Sequence, residues 1–192
     1  MVSQKRPVTI YLEANPNPNS MKFVVNFMLL PEGSSQDFPD KESTENAPLA
    51  RELFNFPYVK RVFYMSNFIT VTKDETAEWI EIQDELKKFI ASFLEEGKQI
   101  LNEAEFSNEI TEEDSEIEAK IKGILDEYIR PAVEQDGGAI SFHSYDEGKV
   151  KVLLQGSCSG CPSSTITLKA GIENLLKRMM PNEVTEVEAE GV

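Results

Sequence analysis

The 192-residue chain has two cysteines and one histidine. A structural zinc site generally takes four Cys or His ligands, and a Ser-His-Asp triad would have to use His143, so one chain alone is poor in both metal ligands and nucleophile–base pairs. Positive charge is also scarce: 19 Lys and Arg face 34 Asp and Glu, a formal net charge of −15. That sign is wrong for gripping a phosphate backbone, so no nucleic-acid partner is expected. Long apolar runs are missing too. None approaches the about 18 residues needed to span a bilayer, which argues against a membrane partner. Met1 to Ser20 has no apolar segment of the kind a secretory signal carries. The expectation is a cytoplasmic protein with reduced thiols.

What is present points to folded domains. A hydrophobic fraction of 40% and a charged fraction of 28% lie near globular averages. The length suits two small domains of about 100 residues each. The acidity is unevenly spread: residues 102–118 hold eight carboxylates and no Lys or Arg, whereas residues 1–100 hold 15 acids against 11 bases. Such a run repels itself and has little apolar surface to bury, so it reads as a tether. The expected organisation is two small α+β domains, residues 1–100 and 116–192, joined by an acidic linker over 101–115.

In the first half, Val8, Ile10 and Leu12 alternate as one face of a strand, and the apolar run Met21 to Leu30 is expected to pair with it. Asn15-Pro16-Asn17-Pro18-Asn19-Ser20 between them predicts a rigid turn, because each Pro fixes its own φ and restrains the residue before it. Ala47 to Phe54 predicts a short helix, and Val59 to Met65 and Phe68 to Thr72 a hairpin turning at Ser66-Asn67. Trp79, Ile82, Leu86, Phe89 and Phe93 recur at helical spacing, with Gly97 as a left-handed cap. Nothing in this half gathers acid–base groups, metal ligands or a phosphate loop.

In the second half, Ser115 and Glu118 form a capping-box signature ahead of a helix carrying Ile117, Ile121, Ile124, Tyr128 and Val133, which Pro131 should kink or end. Asp136-Gly137-Gly138 leaves that helix. Ile140 and Phe142 begin a strand, Asp146-Glu147-Gly148 turns, and Val150, Val152 and Leu154 line the returning strand. Pro162 opens a second helix whose predicted apolar stripe is Leu168, Ile172, Leu175 and Met179. Val184 and Val187 sit in a short closing segment.

Both cysteines fall at the strand-to-helix junction, in Gly156-Ser157-Cys158-Ser159-Gly160-Cys161-Pro162. Three-residue spacing lets a turn aim Cys158 and Cys161 at one point, and the small neighbours predict accessible sulfurs. Backbone N–H groups of the turn and of the next helix start can hydrogen-bond to sulfur, and a helix N-terminus favours thiolate, the form that binds metal or attacks disulfides. Four readings of the pair compete. They are two small buried hydrophobes, a thiol-disulfide oxidoreductase, a zinc clamp in a dimeric adaptor, and an iron-sulfur cluster site. A thioredoxin motif normally has Pro between its cysteines, whereas Pro162 follows both.

The surrounding sequence supplies what the thiols alone do not. From about Glu116 to Glu188 the chain resembles the NifU C-terminal domain of Nfu-type iron-sulfur cluster carriers. The resemblance runs through Arg130-Pro131, Asp136-Gly137-Gly138, the cysteine loop, and Thr167-Leu168-Lys169-Ala170-Gly171-Ile172-Glu173. Residues 7–96 resemble the N-terminal Nfu domain through Asn15-Pro16-Asn17-Pro18-Asn19-Ser20-Met21-Lys22-Phe23 and the helix carrying Trp79. Ala139 departs from the acidic or amide residue expected after the paired glycines. The resemblance implies a non-enzymatic scaffold or carrier with a [4Fe-4S] cluster shared between two chains, Cys158 and Cys161 of each as ligands. It implies a homodimer when loaded, transfer to apo iron-sulfur client proteins, an upstream cluster-assembly scaffold as donor, and client recognition by the first domain.

Other residues have plainer readings. His143 is expected on a strand surface, Asp136 in a turn, and Met179 and Met180 in core and helix-end packing. Lys169 either covers apolar surface with its stem or offsets the charge of an anionic cluster.

Overall fold

The computed structural model describes residues 7–102, 115–159 and 162–191. The chain divides into two compact units, residues 1–107 and 108–192. The stretch expected to be an acidic linker falls mostly on residues 103–114, outside the described residues.

The first unit is an antiparallel five-stranded sheet with two α-helices and a 3-10 turn at Glu42–Thr44. Its strands are β1 (Ile10–Ala14), β2 (Ser20–Val25), β3 (Ser35–Phe38), β4 (Val59–Met65) and β5 (Phe68–Lys73), in the order β1-β2-β5-β4-β3. Met65 pairs with Phe68, so Ser66 and Asn67 make a two-residue turn, and Ser66 takes the positive φ of 45° that such a turn demands. Helices α1 (Pro48–Leu53) and α2 (Trp79–Glu95) complete the unit. Phe23, Val25, Val62, Tyr64, Ile69 and Val71 form one buried cluster with Leu49 and Leu53 of α1 and Ile82, Leu86, Ile90 and Phe93 of α2. Gly97 closes α2 at φ 68°.

The sequence reading does not anticipate β3. Its residues Ser-Gln-Asp-Phe carry one buried apolar side chain, Phe38, so no alternation announces a strand. Pairing with β4 makes it one, helped by the forked ion pair of Arg61 with Asp37 at 2.9 and 2.8 Å. The apolar run Met21 to Leu30 is a strand only as far as Val25. Beyond it, the N–H groups of Leu29 and Leu30 both donate to the Ser66 carbonyl, which peels the chain off the sheet.

The Asn-Pro turn is rigid for a reason beyond its prolines. Asn15 Oδ1 accepts from Asn17 N at 3.1 Å and from Ser20 Oγ at 2.7 Å, and Asn17 Oδ1 accepts from Asn19 N at 3.0 Å. Trp79 of α2 donates its indole N–H to the Pro18 carbonyl at 3.0 Å, tying turn to helix.

The second unit runs α3 (Glu116–Ile124), one π-helical turn (Leu125–Ile129), α4 (Arg130–Gln135), β6 (Gly138–Asp146), β7 (Lys149–Gly156), α5 (Pro162–Met179) and β8 (Glu186–Gly191). Ser115 caps α3 through the expected capping box with Glu118. Of the two expected outcomes, kink or end, Pro131 does not end the helix. It has no N–H to give the carbonyl four residues back, and the chain widens into the π turn just ahead of it before α4 resumes. Strands β6 and β7 are antiparallel around Glu147 and Gly148, while β8 lies parallel to β7, the direction that a helical crossover such as α5 permits.

The predicted stripe on α5 is one residue out at its end. Ile172, Leu176 and Met180 are buried, and Met179 is 45% exposed. Spacings of three and four both fit a 3.6-residue period, and packing against the sheet selects the run of fours. No helix among the described residues is long and apolar enough to cross a membrane.

Candidate functional site

Strand β7 ends at Gly156, whose φ of 65° turns the chain sharply out of the sheet. Ser157 and Cys158 follow at once, and α5 begins at Pro162. Cys161 and Gly160 lie outside the described residues, so the second expected ligand has no geometry to set beside the first. Ser157 anchors the loop to the α4–β6 turn. Its N–H donates to the Gly137 carbonyl at 3.3 Å, and its hydroxyl makes a short hydrogen bond to the Asp136 carbonyl. Ser159 N donates to the Gly156 carbonyl at 3.2 Å, and Thr165 of α5 donates its hydroxyl to the Cys158 carbonyl at 3.2 Å.

Cys158 itself corrects the expectation of an accessible sulfur. It is 5% exposed and belongs to the buried cluster that includes Ile140, Leu154 and Ile172. A β-carbon built on Gly138 would stand 2.9 Å from Cys158 Sγ and 2.6 Å from the Gln155 carbonyl oxygen. The sulfur therefore rests on the β6 backbone, in space that a side chain at Gly138 would fill. Small neighbours did not expose the thiol; they let the loop fold tightly against its own sheet. Gly191 does the same for the other side of the loop, since a β-carbon there would meet Ser159 at 2.8 Å.

His143 is not brought to this site. It is exposed at an irregularity in the β6–β7 register, between Phe142 and Ser144. It stands five residues along β6 from Gly138, about 16 Å at the rise of an extended chain. Asp136 is a turn residue whose carbonyl serves Ser157. Lys169 adds its charge to a local cluster on α5. The Glu173 carboxyl there is held below its ordinary value of 4.5, first by a hydrogen bond from Lys177 and then by the Val187 N–H, with the Lys169 charge a smaller contribution. The bond from Lys177 Nζ, 2.5 Å, lies within α5, and the one from Val187 N, 3.2 Å, joins α5 to β8. Among the described residues no group of three or more His, Cys, Asp or Glu is placed to hold a metal ion. Ser157, Thr165 and Gly191 are the site residues that sequence reasoning overlooked as positioning groups. Hydroxyls beside a cysteine turn were the available signal for the first two.

Two α+β units, the second carrying a buried thiol at a strand-to-helix junction, define a class of modular thiol protein. Residues 10–97 match the scaffold protein Nfu/NifU N-terminal domain, and residues 121–188 match the NifU-like domain. The chain belongs to the Nfu/NifU family. It is 44% identical over 190 residues to the NFU1 iron-sulfur cluster scaffold homolog, mitochondrial, of Drosophila willistoni, a match covering 98% of this chain and 65% of that one. The protein of the same name from Drosophila persimilis is 44% identical over 186 residues, 96% of this chain and 66% of its own. The chain thus spans just under two thirds of the length of these curated relatives. A solution structure of a NifU-like protein from Saccharomyces cerevisiae aligns with 54% of this chain and 92% of its own, at 25% identity and a TM-score of 0.47.

The relatives' names overturn the expectation of a cytoplasmic protein, because they are called mitochondrial. That expectation leaned on the lack of an apolar run in Met1 to Ser20, which bears on secretory signals and not on a mitochondrial address.

Proposed function

We propose that the chain is an iron-sulfur cluster scaffold and carrier, in which Cys158 and Cys161 of two protomers hold one [4Fe-4S] cluster and pass it to apoproteins. The observation that carries this reading is thiol arithmetic. The chain owns two cysteines, a cluster takes four thiolates, and Cys158 sits at a built junction in a family whose relatives are named scaffolds. His143 is remote and cannot supply a further ligand to the same centre. Two chains must then combine, giving a homodimer when loaded.

Transfer needs no catalytic base. A thiolate of the recipient forms a bond to iron as the bond from Cys158 or Cys161 breaks, thiolate replacing thiolate with no change in electron count. An upstream assembly scaffold delivers the cluster, the first unit recognises the client, and residues 101–115 tether the two functions. The relatives' names support a mitochondrial setting.

Anaerobic reconstitution with iron and sulfide tests the proposal. The expected product is a coloured dimer with one cluster per two chains, lost in Cys158→Ala and Cys161→Ala and retained in His143→Ala. One complete cluster per single chain would refute it. Stoichiometric colourless zinc, or metal-free disulfide reduction, would favour an adaptor or an oxidoreductase instead.

A further inference from the structure

The first unit holds a groove that the thiol chemistry does not use. Its walls are two chain exits that the fold fixes in place. On one side the N–H groups of Leu29 and Leu30 donate to the Ser66 carbonyl at 2.7 and 2.9 Å, which sets Phe27, Met28 and Leu29 off the sheet. On the other, Gly97 turns the chain out of α2 at φ 68°, and Asn102 N donates to the Asn46 carbonyl at 2.8 Å. Leu94 and Ile100 thereby line the same groove, of about 290 Å³, as Phe27 to Leu29. Phe27, Leu29, Leu94 and Ile100 pack on the unit's core, whereas Met28 is 54% exposed. The lining is thus firm and apolar, with one adaptable side chain at the surface.

That volume is at the lower end for small-molecule pockets and suits one or two apolar side chains. Strand addition is not open to a partner here, because β2 is already paired with β1 on one side and β5 on the other. Recognition has to run through side chains. The charge around the groove is acidic. Glu95 lines it, and the one ammonium in the lining, Lys98, is bonded to Glu96 at 2.6 Å. That bond, the Glu96 charge and, last, the Glu52 charge raise the Lys98 pKa, so three carboxylates surround one cation. Lys87 and Lys88 stand seven residues before Leu94 and Glu95, about 10 Å back along α2, where salt screens most of their effect.

We infer that this groove docks a segment of a partner protein that carries an apolar anchor flanked by Lys or Arg. The inference rests on the reading of the first unit as the client-recognition module, and it supplies the chemistry of what is recognised. The anchor enters between Met28 and the Leu94–Ile100 wall, and the flanking cation meets Glu95 and Glu96. The same carboxylates repel an anionic lipid surface.

Fluorescence anisotropy of a labelled peptide added to metal-free, full-length protein tests this. The probe is a helical peptide of about fifteen residues with Leu at i, i+4 spacing and Lys beside it. One companion peptide has Glu in place of Lys, and another has Ser in place of Leu. Wild-type protein should bind the Lys–Leu peptide about 3- to 10-fold tighter than the Glu–Leu one and at least about tenfold tighter than the Lys–Ser one. Met28→Ser should weaken the Lys–Leu complex about 3- to 10-fold, the share expected of a half-exposed side chain. Glu95→Lys should remove the preference for Lys over Glu. Glu81→Lys makes the same change in net charge in the first turn of α2, about 21 Å along the helix, and should leave binding as it is. Residues 28, 81 and 95 are all exposed, and circular dichroism checks that each variant is folded.

The inference is overturned if the Lys–Leu peptide fails to bind or binds no tighter than either companion, or if Met28→Ser leaves its affinity unchanged. It is also overturned if Glu81→Lys acts as strongly as Glu95→Lys, which would make the effect one of net charge. Phosphatidylcholine vesicles bound through Met28 in place of the peptide would assign the groove to lipid and overturn it too. No arm uses iron, so a negative result leaves the cluster reading standing, and cysteine variants that keep their iron would leave this one standing.

Discussion

Gly138 and Gly123 are both glycines within regular structure, yet their surroundings make opposite demands. At Gly138 a methyl group would be driven into the Gln155 carbonyl at 2.6 Å and the Cys158 sulfur, and the first of these is backbone that cannot swing aside. Gly138→Ala should destabilise the second unit by about 1–3 kcal/mol, the range for overpacking, seen as a lower urea midpoint in circular dichroism. Gly123, in α3, has nothing within 4 Å of a built β-carbon. Gly123→Ala should raise stability by about 0.5–1 kcal/mol in the same titration, through helix propensity. Sequence presents the Gly137-Gly138 pair only as flexible chain. That the second of them makes room for a sulfur twenty residues later depends on the β6–β7 register, in which Gly138 faces Gly156.

For whole elements, α5 offers the sharpest contrast. Leu176 is fully buried and Leu175 only partly so, although the periodicity admits either. Leu176→Ala should lose about 2–5 kcal/mol of stability and Leu175→Ala much less, measured by urea unfolding of the second unit. The link from α5 to β8 through Glu173 has a pH signature. Because the folded state lowers the Glu173 pKa, the unfolded state binds its proton more readily as pH falls. Its contribution is present above the ordinary value of 4.5 and disappears as pH drops through the lower folded value. Glu173→Gln should therefore be less stable than wild type at pH 7, with the difference closing at lower pH. Helices α2, α3 and α5 and the hairpins β4–β5 and β6–β7 were legible because caps, turns and periods agree locally. Strand β3 was not, since Phe38 alone marks it and the partner that makes it a strand lies more than twenty residues onward.

Across the molecule, each unit has its own buried cluster, one built around Phe23, Tyr64 and Leu86 and the other around Ile121, Leu154 and Leu176. The single tryptophan, Trp79, belongs to the first. Its fluorescence should report that unit alone. In Leu176→Ala the tryptophan transition in urea should keep its wild-type midpoint while the circular-dichroism transition of the second unit moves to lower urea. A shift of both together would show that the units unfold as one.

The amino-acid order alone settled the number of thiols, their three-residue spacing and the junction that holds them, because those are properties of neighbours along the chain. It also carried the α+β class, through alternation and helical period, and a family likeness in strings of adjacent residues. Whether Cys158 faces solvent or its own sheet was decided by tertiary structure. Burial depends on which strand end lies opposite the loop, and here Gly138 lies against a sulfur whose immediate neighbours suggested an open site, while Thr165 holds the Cys158 carbonyl and Gly191 lies against Ser159.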